Sequence, residues 1–295
     1  MGAREIPLKA YFREMANHPL IVVHRGLWDH ETPENSLPAI TGTVSAGLAH
    51  VEVDVRLSSD GLPMLIHDAN LERTTGLSVP ARELTLEQAC GLPLRAGLGG
   101  PDAQMSAERL PSLEQALDCA AGALHFDLDV KDPGEVERVA ACVAAGPWRE
   151  RCSVKIDAET KEAVDRLQAM EATTGVMVMP KLRLEPGQTE RQIALLASAD
   201  VAVAEVYADR LAVFAEARPH ARAAGITLWT YTLDAVPSAG IRDSVAATQP
   251  DRTWGALISA GIGAIMTDRA GALASYLSLS DNPRPFEPSP QSRAS

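Results

Sequence analysis

Apolar and polar positions alternate along this chain in two textures. Short runs dense in Val, Ile, Leu and Met occur at 20–23 (LIVV), 50–55 (HVEVDV), 125–130 (HFDLDV) and 153–156 (SVKI). Four more follow at 175–179 (GVMVM), 201–206 (VAVAEV), 227–232 (TLWTYT) and 263–266 (GAIM). Between most of them lie Ala-rich stretches of helical length, such as SLPAITGTVSAG, PSLEQALDCAAG and ETKEAVDRLQAMEA. Strand then helix, repeated about eight times, is the pattern of an α/β fold of the (β/α)8 TIM-barrel type. The chain divides into a lead-in at 1–19, the barrel at 20–280 and a tail at 281–295. The tail is rich in Pro, Ser and charge, which predicts disorder.

One run falls outside the repeat. PMLIHD (63–68) follows HVEVDVRLS too closely for a parallel crossover, so the two predict an antiparallel hairpin. Asp60-Gly61 is a strong signal for a two-residue turn. That turn pairs Ser59 with Leu62 and sets Asp54 opposite His67. Glu52, two residues before Asp54, shares its face. The hairpin thus gathers two carboxylates and an imidazole on what a barrel makes its interior face. Val51, Val53 and Val55 imply that the other face is buried too, and unpaired buried acids are costly. A hard divalent cation explains them.

Composition narrows the partners. Of 295 residues, 46% are hydrophobic, enough for a sizeable core, and the net charge is −12. No run of Lys or Arg appears, which argues against nucleic acid. The acidic balance suits a metal-dependent site. The first 20 residues carry no signal-peptide core, and Ile6 stands where a myristoylation motif needs Ser or Thr. No stretch approaches the roughly 20 apolar residues of a membrane span, so no stable membrane anchor is expected. Cys90, Cys119, Cys142 and Cys152 show neither zinc nor CxxC spacing and read as ordinary thiols, in keeping with a cytoplasmic setting. Barrels often dimerise; a homo-oligomer stays open, since nothing in the chain specifies an interface.

Further polar residues sit at strand ends. VVHRG (22–26) places His24 and Arg25 where the first strand meets its loop, with Gly26 giving room for a ligand. ETPENS then reads as a helix start, Pro33 in the first-turn region and Asn35 or Ser36 as cap. In HFDLDVKD, Asp127, Asp129 and Lys131 alternate and share a face, and three such groups need ligands or partners if buried together.

The ordered set VHRG, TPENS, VEVDVRLSSDG and MLIHDANLERTT resembles the glycerophosphodiester phosphodiesterase family, among the phospholipase-C-like barrels. LWTYTLD (228–234) and GIGAIMTDR (261–269) resemble that family's later motifs, so the likeness runs from about 20 to 277. The resemblance implies Glu52, Asp54 and Asp129 as ligands of one divalent cation, Mg2+ or Ca2+. It implies His24 and His67 as a general acid/base pair, Arg25 and Lys131 on the phosphate, and Trp229 lining the head-group pocket. This chemistry is sound: a cation absorbs transition-state charge, imidazoles move protons near neutral pH, and guanidinium grips two phosphate oxygens. Asp129 departs from the Glu usual in that family and is one methylene shorter; related toxin phospholipases carry Asp at the matching place.

The expected function is therefore cleavage of a small phosphodiester, a glycerophosphodiester or similar, into an alcohol and a phosphomonoester. Direct attack by water and passage through a cyclic phosphate are both compatible with these residues. A sugar-phosphodiester (opine-like) or lysophospholipid substrate is the alternative within the fold. A catalytically silent barrel that binds a phosphorylated ligand is the alternative outside it. The Gly- and Pro-rich insertion at 71–112, with one helical signal near Thr85, is expected over the barrel mouth, where Arg109 and the loop GLGGPDAQ are candidates for selecting substrate. Lys155, Lys181 and Glu205 lie at the ends of later strands and read either as solvated loop charge or as a polar rim for a hydroxyl-rich or anionic head group.

Overall fold

The computed structural model describes residues 8–14 and 19–280; the predicted disordered tail lies outside them. Its strands are β1 (Leu20–His24), β2 (His50–Leu57), β3 (Pro63–Leu65), β4 (Pro93–Arg95), β5 (Met105–Arg109) and β6 (His125–Val130). They continue as β7 (Cys152–Asp157), β8 (Met177–Arg183), β9 (Val203–Tyr207), β10 (Thr227–Tyr231) and β11 (Ile262–Thr267). Eight of them close in the order β1-β2-β6-β7-β8-β9-β10-β11 and back to β1, every pairing parallel. All eight predicted barrel strands are these eight, and the fold is a (β/α)8 barrel.

The alternation along each strand decides what the two faces do. Val51, Val53 and Val55 on β2, with Phe126, Leu128 and Val130 on β6, join the core packed under the helices. The positions between them face the lumen. Leu20, Val22, Met177, Met179, Val203, Trp229, Ala264 and Met266 form a separate apolar cluster there. Both faces are buried, which is why the strands read as nearly continuous apolar runs. The lumen's lower end is closed by the helix Leu8–Glu14, which supplies Leu8 and Phe12 to that cluster. Tyr11 of that helix lies against His50 and His125, ring centroids 5.0 and 4.9 Å away, and the two imidazoles stack at 5.0 Å. Within the lead-in, the helix Leu8–Glu14 is thus the barrel's floor.

The hairpin forms, but in another register. β2 and β3 pair Val55 with Leu65, Arg56 with Met64 and Leu57 with Pro63, and Ile66 N–H donates to the Asp54 carbonyl. Asp54 is therefore level with Ile66, not His67. The loop holds three residues, 59–61: Gly61 N–H donates to the Ser58 carbonyl and Gly61 takes φ +73°. This is the three-residue alternative to the two-residue turn, with glycine in the left-handed position. β3 ends at Leu65, and His67 reaches the site from the segment beyond it.

The helix after β1 starts at one of the two expected caps, Ser36, although its first-turn proline is Pro38 and not Pro33. It spans Leu37–Ser45. The insertion has its own small core of Met64, Ile66, Leu71, Ala81, Ala89, Leu94 and Leu110. Within it β4 pairs antiparallel with β5, and the helical signal near Thr85 is the helix Leu86–Cys90, closed by a Thr85/Gln88 capping box.

The floor makes folding sensitive to acid. Burial depresses His50 to about 3 and His125 to about 4, and His50 Nε2 and His125 Nδ1 are buried without hydrogen-bond partners among the described residues. A neutral imidazole in the folded state against one titrating near 6.5 when unfolded gives stability that is complete above 6.5 and is lost as pH falls toward the folded values. The melting temperature should drop between pH 7 and pH 5, and the drop should be shallower in a His50→Asn, His125→Asn variant whatever its absolute stability. Parallel pH profiles for the two proteins would contradict this.

Candidate active site

The upper lumen is organised around Asp54, whose side chain is fully buried. Arg25 Nε lies 2.8 Å from Asp54 Oδ2, and Asn35 Nδ2 donates to the same oxygen at 2.7 Å. Asn35 Oδ1 accepts from the Asp54 N–H at 3.0 Å. Lys131 Nζ stands 2.5 Å from Asp54 Oδ1 and 2.5 Å from Asp129 Oδ2. Burial works against the Asp54 charge, but Arg25 and Lys131 outweigh it and hold the carboxyl well below the usual range.

The backbone is strained to make this clamp. Arg25 and Asn35 both occupy the left-handed region, at φ 58° and 53°, and Asn35 N–H donates to the Arg25 carbonyl. Non-glycine residues in that region are uncommon and gather at functional sites. Gly26 follows at φ +79°, and a Cβ there would stand 2.7 Å from the Ala39 carbonyl carbon. Only glycine fits against the helix at that point. Glu34 supports the clamp from outside: Arg25 donates to it at 2.6 Å and Arg73 at 2.7 Å.

Glu52, Asp54 and Asp129 each offer an oxygen to one cluster, these atoms lying within 4.8 Å of one another. Burial first, and then the Asp54 charge, push Glu52 up to about 8. Burial also opposes ionisation of Asp129, but Lys155 and Lys131 outweigh it and hold its carboxyl low. Three crowded carboxylates, two of them buried, are an unfavourable set without added positive charge, and oxygen donors of this kind suit a hard divalent cation. The residues present therefore fit Mg2+ or Ca2+. Asp129 takes its place in the cluster although it is a methylene shorter than Glu.

Each candidate histidine is held through Nδ1 by a carboxylate. His24 Nδ1 lies 2.7 Å from Asp268 Oδ1, which also accepts from Trp28 Nε1 at 3.1 Å. Asp268 is itself aimed by its N–H bond to Asp243 Oδ2, and Asp243 accepts from Thr232 and Thr267. His24 Nε2 is left facing Glu52, 4.0 Å from its Oε2. Burial opposes protonation of His24, yet the Asp268 bond and the Glu52 charge outweigh it and raise the imidazole above its ordinary value. His67 Nδ1 lies 2.7 Å from Asp68 Oδ1, and Arg73 Nε donates to Asp68 Oδ2 at 2.6 Å. Its side chain is 39% exposed, and burial nonetheless lowers it, with the Asp54 charge opposing.

Several expected site residues lie elsewhere. Lys155 and Glu205 are neither solvated nor on the rim: they are buried in the lumen, where Lys155 Nζ sits 2.6 Å from both Asp127 Oδ2 and Glu205 Oε2, Asp127 being level in register with Glu52. Trp229 does not line the mouth. It is 1% exposed and packs toward the floor, 6.2 Å from Phe12, with Lys155 Nζ 5.7 Å from its ring centroid. Lys181 does stand at the rim, half-buried, 3.5 Å from Asp157. Arg109 points away, donating to the Gly91 carbonyl, whereas the loop at 97–104 does reach the site: Glu34 N–H donates to the Gly97 carbonyl and Arg73 to the Leu98 carbonyl.

Sequence reasoning placed Asp127 only on the face of Asp129 and assigned no role to Glu34, Asp68, Arg73 or Asp268. Their signal was present in TPENS, in the Asp after His67, in LERTT and in the closing TDR.

Known proteins resemble this chain in sequence and in fold. The model of the Glycerophosphoryl diester phosphodiesterase family matches residues 24–272. The Rattus norvegicus protein Glycerophosphodiester phosphodiesterase 1 is 35% identical over 120 residues, which is 40% of this chain and 36% of that protein. The match thus spans about a third of that curated relative's length. Among solved structures, a glycerophosphoryl diester phosphodiesterase from Parabacteroides distasonis superposes with a TM-score of 0.69 at 19% identity, covering 91% of this chain and 92% of that one. A phosphodiesterase from Oleispira antarctica, solved with the product sn-glycerol-3-phosphate, gives 0.63 at 22% identity, covering 89% and 98%. The likeness to these two is one of fold.

Lys131 shares two of the three carboxylates a cation would use. Removing its charge should strengthen cation binding: Lys131→Met should bind Ca2+ about threefold tighter or more by calorimetry without substrate. Weaker binding by Lys131→Met would show that the ammonium organises the carboxylates instead of competing for them.

Proposed function

The chain belongs to the glycerophosphoryl diester phosphodiesterase family, and on that footing we propose that its barrel, with the insertion at 71–112, is a metal-dependent phosphodiesterase acting on a small glycerophosphodiester-like substrate. The observation that carries the proposal is the juxtaposition of the Glu52–Asp54–Asp129 cluster with two carboxylate-held imidazoles and two cations. A related phosphodiesterase binds sn-glycerol-3-phosphate on the same fold, which supports a glycerol phosphate as one product here.

The roles follow from reach and chemistry. Glu52, Asp54 and Asp129 would hold the cation, which when bound neutralises charge on the phosphate oxygens. Arg25 and Lys131 face the same space and orient the diester, Arg25 as a planar fork and Lys131 as a point charge. His24 and His67 form the proton-transfer pair: one takes a proton from the attacking hydroxyl and the other delivers one to the departing alkoxide. Their Nδ1 bonds to Asp268 and Asp68 fix the tautomer, so that Nε2 of each ring is the working atom. Glu34 and Arg73 tie the phosphate-binding arginine to the His67 side of the site.

Hydrolysis should be abolished by EDTA and restored by Mg2+ or Ca2+, with a panel of glycerophosphodiesters read by phosphorus NMR. His24→Ala and His67→Ala should each lower kcat by about 100-fold or more. A folded protein that leaves every diester intact, or one indifferent to EDTA, would overturn the reading.

Asp268→Asn should lower kcat about tenfold or more with little change in KM, because it loosens a working imidazole without touching the substrate. An effect confined to KM would place Asp268 in binding instead.

A further inference from the structure

Between β10 and β11 the chain runs through a long connection, and one carboxylate from it turns inward. Asp243 opens the short helix Asp243–Ala246 and is 1% exposed. The connection folds back on itself to deliver it. Arg242 donates to the Asp234 carbonyl, and the Ser244 N–H and hydroxyl donate to Asp234 Oδ1 at 3.1 and 2.8 Å. The Asp243 N–H donates to the carbonyl of Thr232, just past β10, at 2.6 Å. The Asp243 side chain thereby reaches the ends of both strands.

Every partner of that side chain is a donor. Oδ1 accepts from the Thr232 hydroxyl at 2.5 Å and from the Thr267 hydroxyl at 2.6 Å, and Oδ2 accepts from the Asp268 N–H at 2.8 Å. Among the described residues no Lys, Arg or His pairs with it. Burial pushes the Asp243 carboxyl above its ordinary value against these three bonds. A buried carboxylate without a cation is costly, and two strand ends can be tied by a neutral side chain. Joining β10 to β11 therefore does not by itself explain an acid here.

What the acid holds does explain it. Asp268 follows directly on β11, and its backbone is fixed on both sides. Its own N–H goes to Asp243, and the next N–H, that of Arg269, goes to Thr267 Oγ1 at 2.9 Å. The Thr267 hydroxyl accepts from Arg269 and donates to Asp243, so one hydroxyl joins the two restraints. From that fixed peptide the Asp268 carboxylate meets His24 Nδ1 at 2.7 Å, with Trp28 Nε1 on the same oxygen at 3.1 Å. Among the described residues Asp243 bonds neither to His24 nor to the carboxylate cluster, so its influence on either passes through Asp268.

We propose that Asp243 is a positioning residue for the reaction, acting through the Asp268 peptide to set the line along which Asp268 holds His24. The inference rests on the phosphodiesterase reading and extends the support of His24 from one carboxylate to a chain of two.

Asp243→Asn keeps the shape, but its single oxygen can serve the Asp268 N–H or the two hydroxyls and not both. With the glycerophosphodiester that the wild type cleaves fastest, its kcat should fall about tenfold with KM within about twofold. Because Asp243 acts through Asp268, the Asp243→Asn, Asp268→Asn double variant should lie within about twofold of Asp268→Asn alone. An unchanged kcat, a loss confined to KM, or losses that multiply in the double variant overturn the proposal. Should Asp243→Asn fail to fold, Thr267→Val replaces it: the same split and the same cycle are expected, with rescue by Thr267→Ser, and valine and serine variants of equal activity overturn the proposal. If the folded wild type cleaves no diester, the phosphodiesterase reading has failed, and the positioning is judged by proton NMR of the His24 Nδ1–H, identified by its loss in His24→Gln. Exchange of that proton with water about tenfold faster in Asp243→Asn then supports the proposal, as expected when a fixed hydrogen-bond partner is loosened. Equal exchange in the two proteins, or no such resonance in the wild type, overturns it.

Discussion

A carboxylate with no exposed surface must be compensated on every side, and Asp54 is the group on which the upper barrel is built. Removing such a charge from water costs several kcal/mol unless partners surround it. Three distant parts of the chain supply them: Arg25 at the end of β1, Asn35 in the following loop, and Lys131 just past β6. Two of those residues accept left-handed backbone to reach it, and Gly26 has no room for a side chain. The HRG and PEN segments are thus two halves of one clamp, each positioned by the other.

Around that clamp the lumen is layered by depth. The floor is apolar and aromatic, with two neutral imidazoles under Tyr11. Above it lies the Asp127–Lys155–Glu205 ion group, closed to solvent. Above that come the carboxylate cluster and the two held histidines, open toward the mouth. The middle layer pairs its own charges, with Lys155 between Asp127 and Glu205 and over the Trp229 ring. The insertion is not a loose lid: its Gly97 carbonyl accepts from the Glu34 N–H, and the Glu34 carboxylate links Arg25 to Arg73.

The strands were legible because both faces of a parallel barrel strand are buried, and the acids on β2 and β6 stood out against that background. Period-two alternation also identified correctly that Glu52 and Asp54 share a face, as do Asp129 and Lys131. Alternation tells the face and not the height: Lys155 and Glu205, read as loop charge or a polar rim, and Trp229, expected in a head-group pocket, are buried in the lumen. Asp-Gly serves two- and three-residue loops alike, so the hairpin was expected one residue out of register. The Nδ1 partners of the histidines were harder still. Asp268 meets His24 across 244 positions of sequence, a contact that only closure of the barrel creates.

The account stands on one claim above all, that the carboxylate cluster at Asp54 is a cation site serving a phosphoryl group. A crystal soaked in Mn2+, a scatterer with the oxygen preference of Mg2+, tests it directly through an anomalous difference map. The account predicts one strong peak among Glu52, Asp54 and Asp129, within about 2.5 Å of an oxygen of each. Peaks confined to surface acids, with this cluster empty and Lys131 still bridging Asp54 and Asp129, would contradict it.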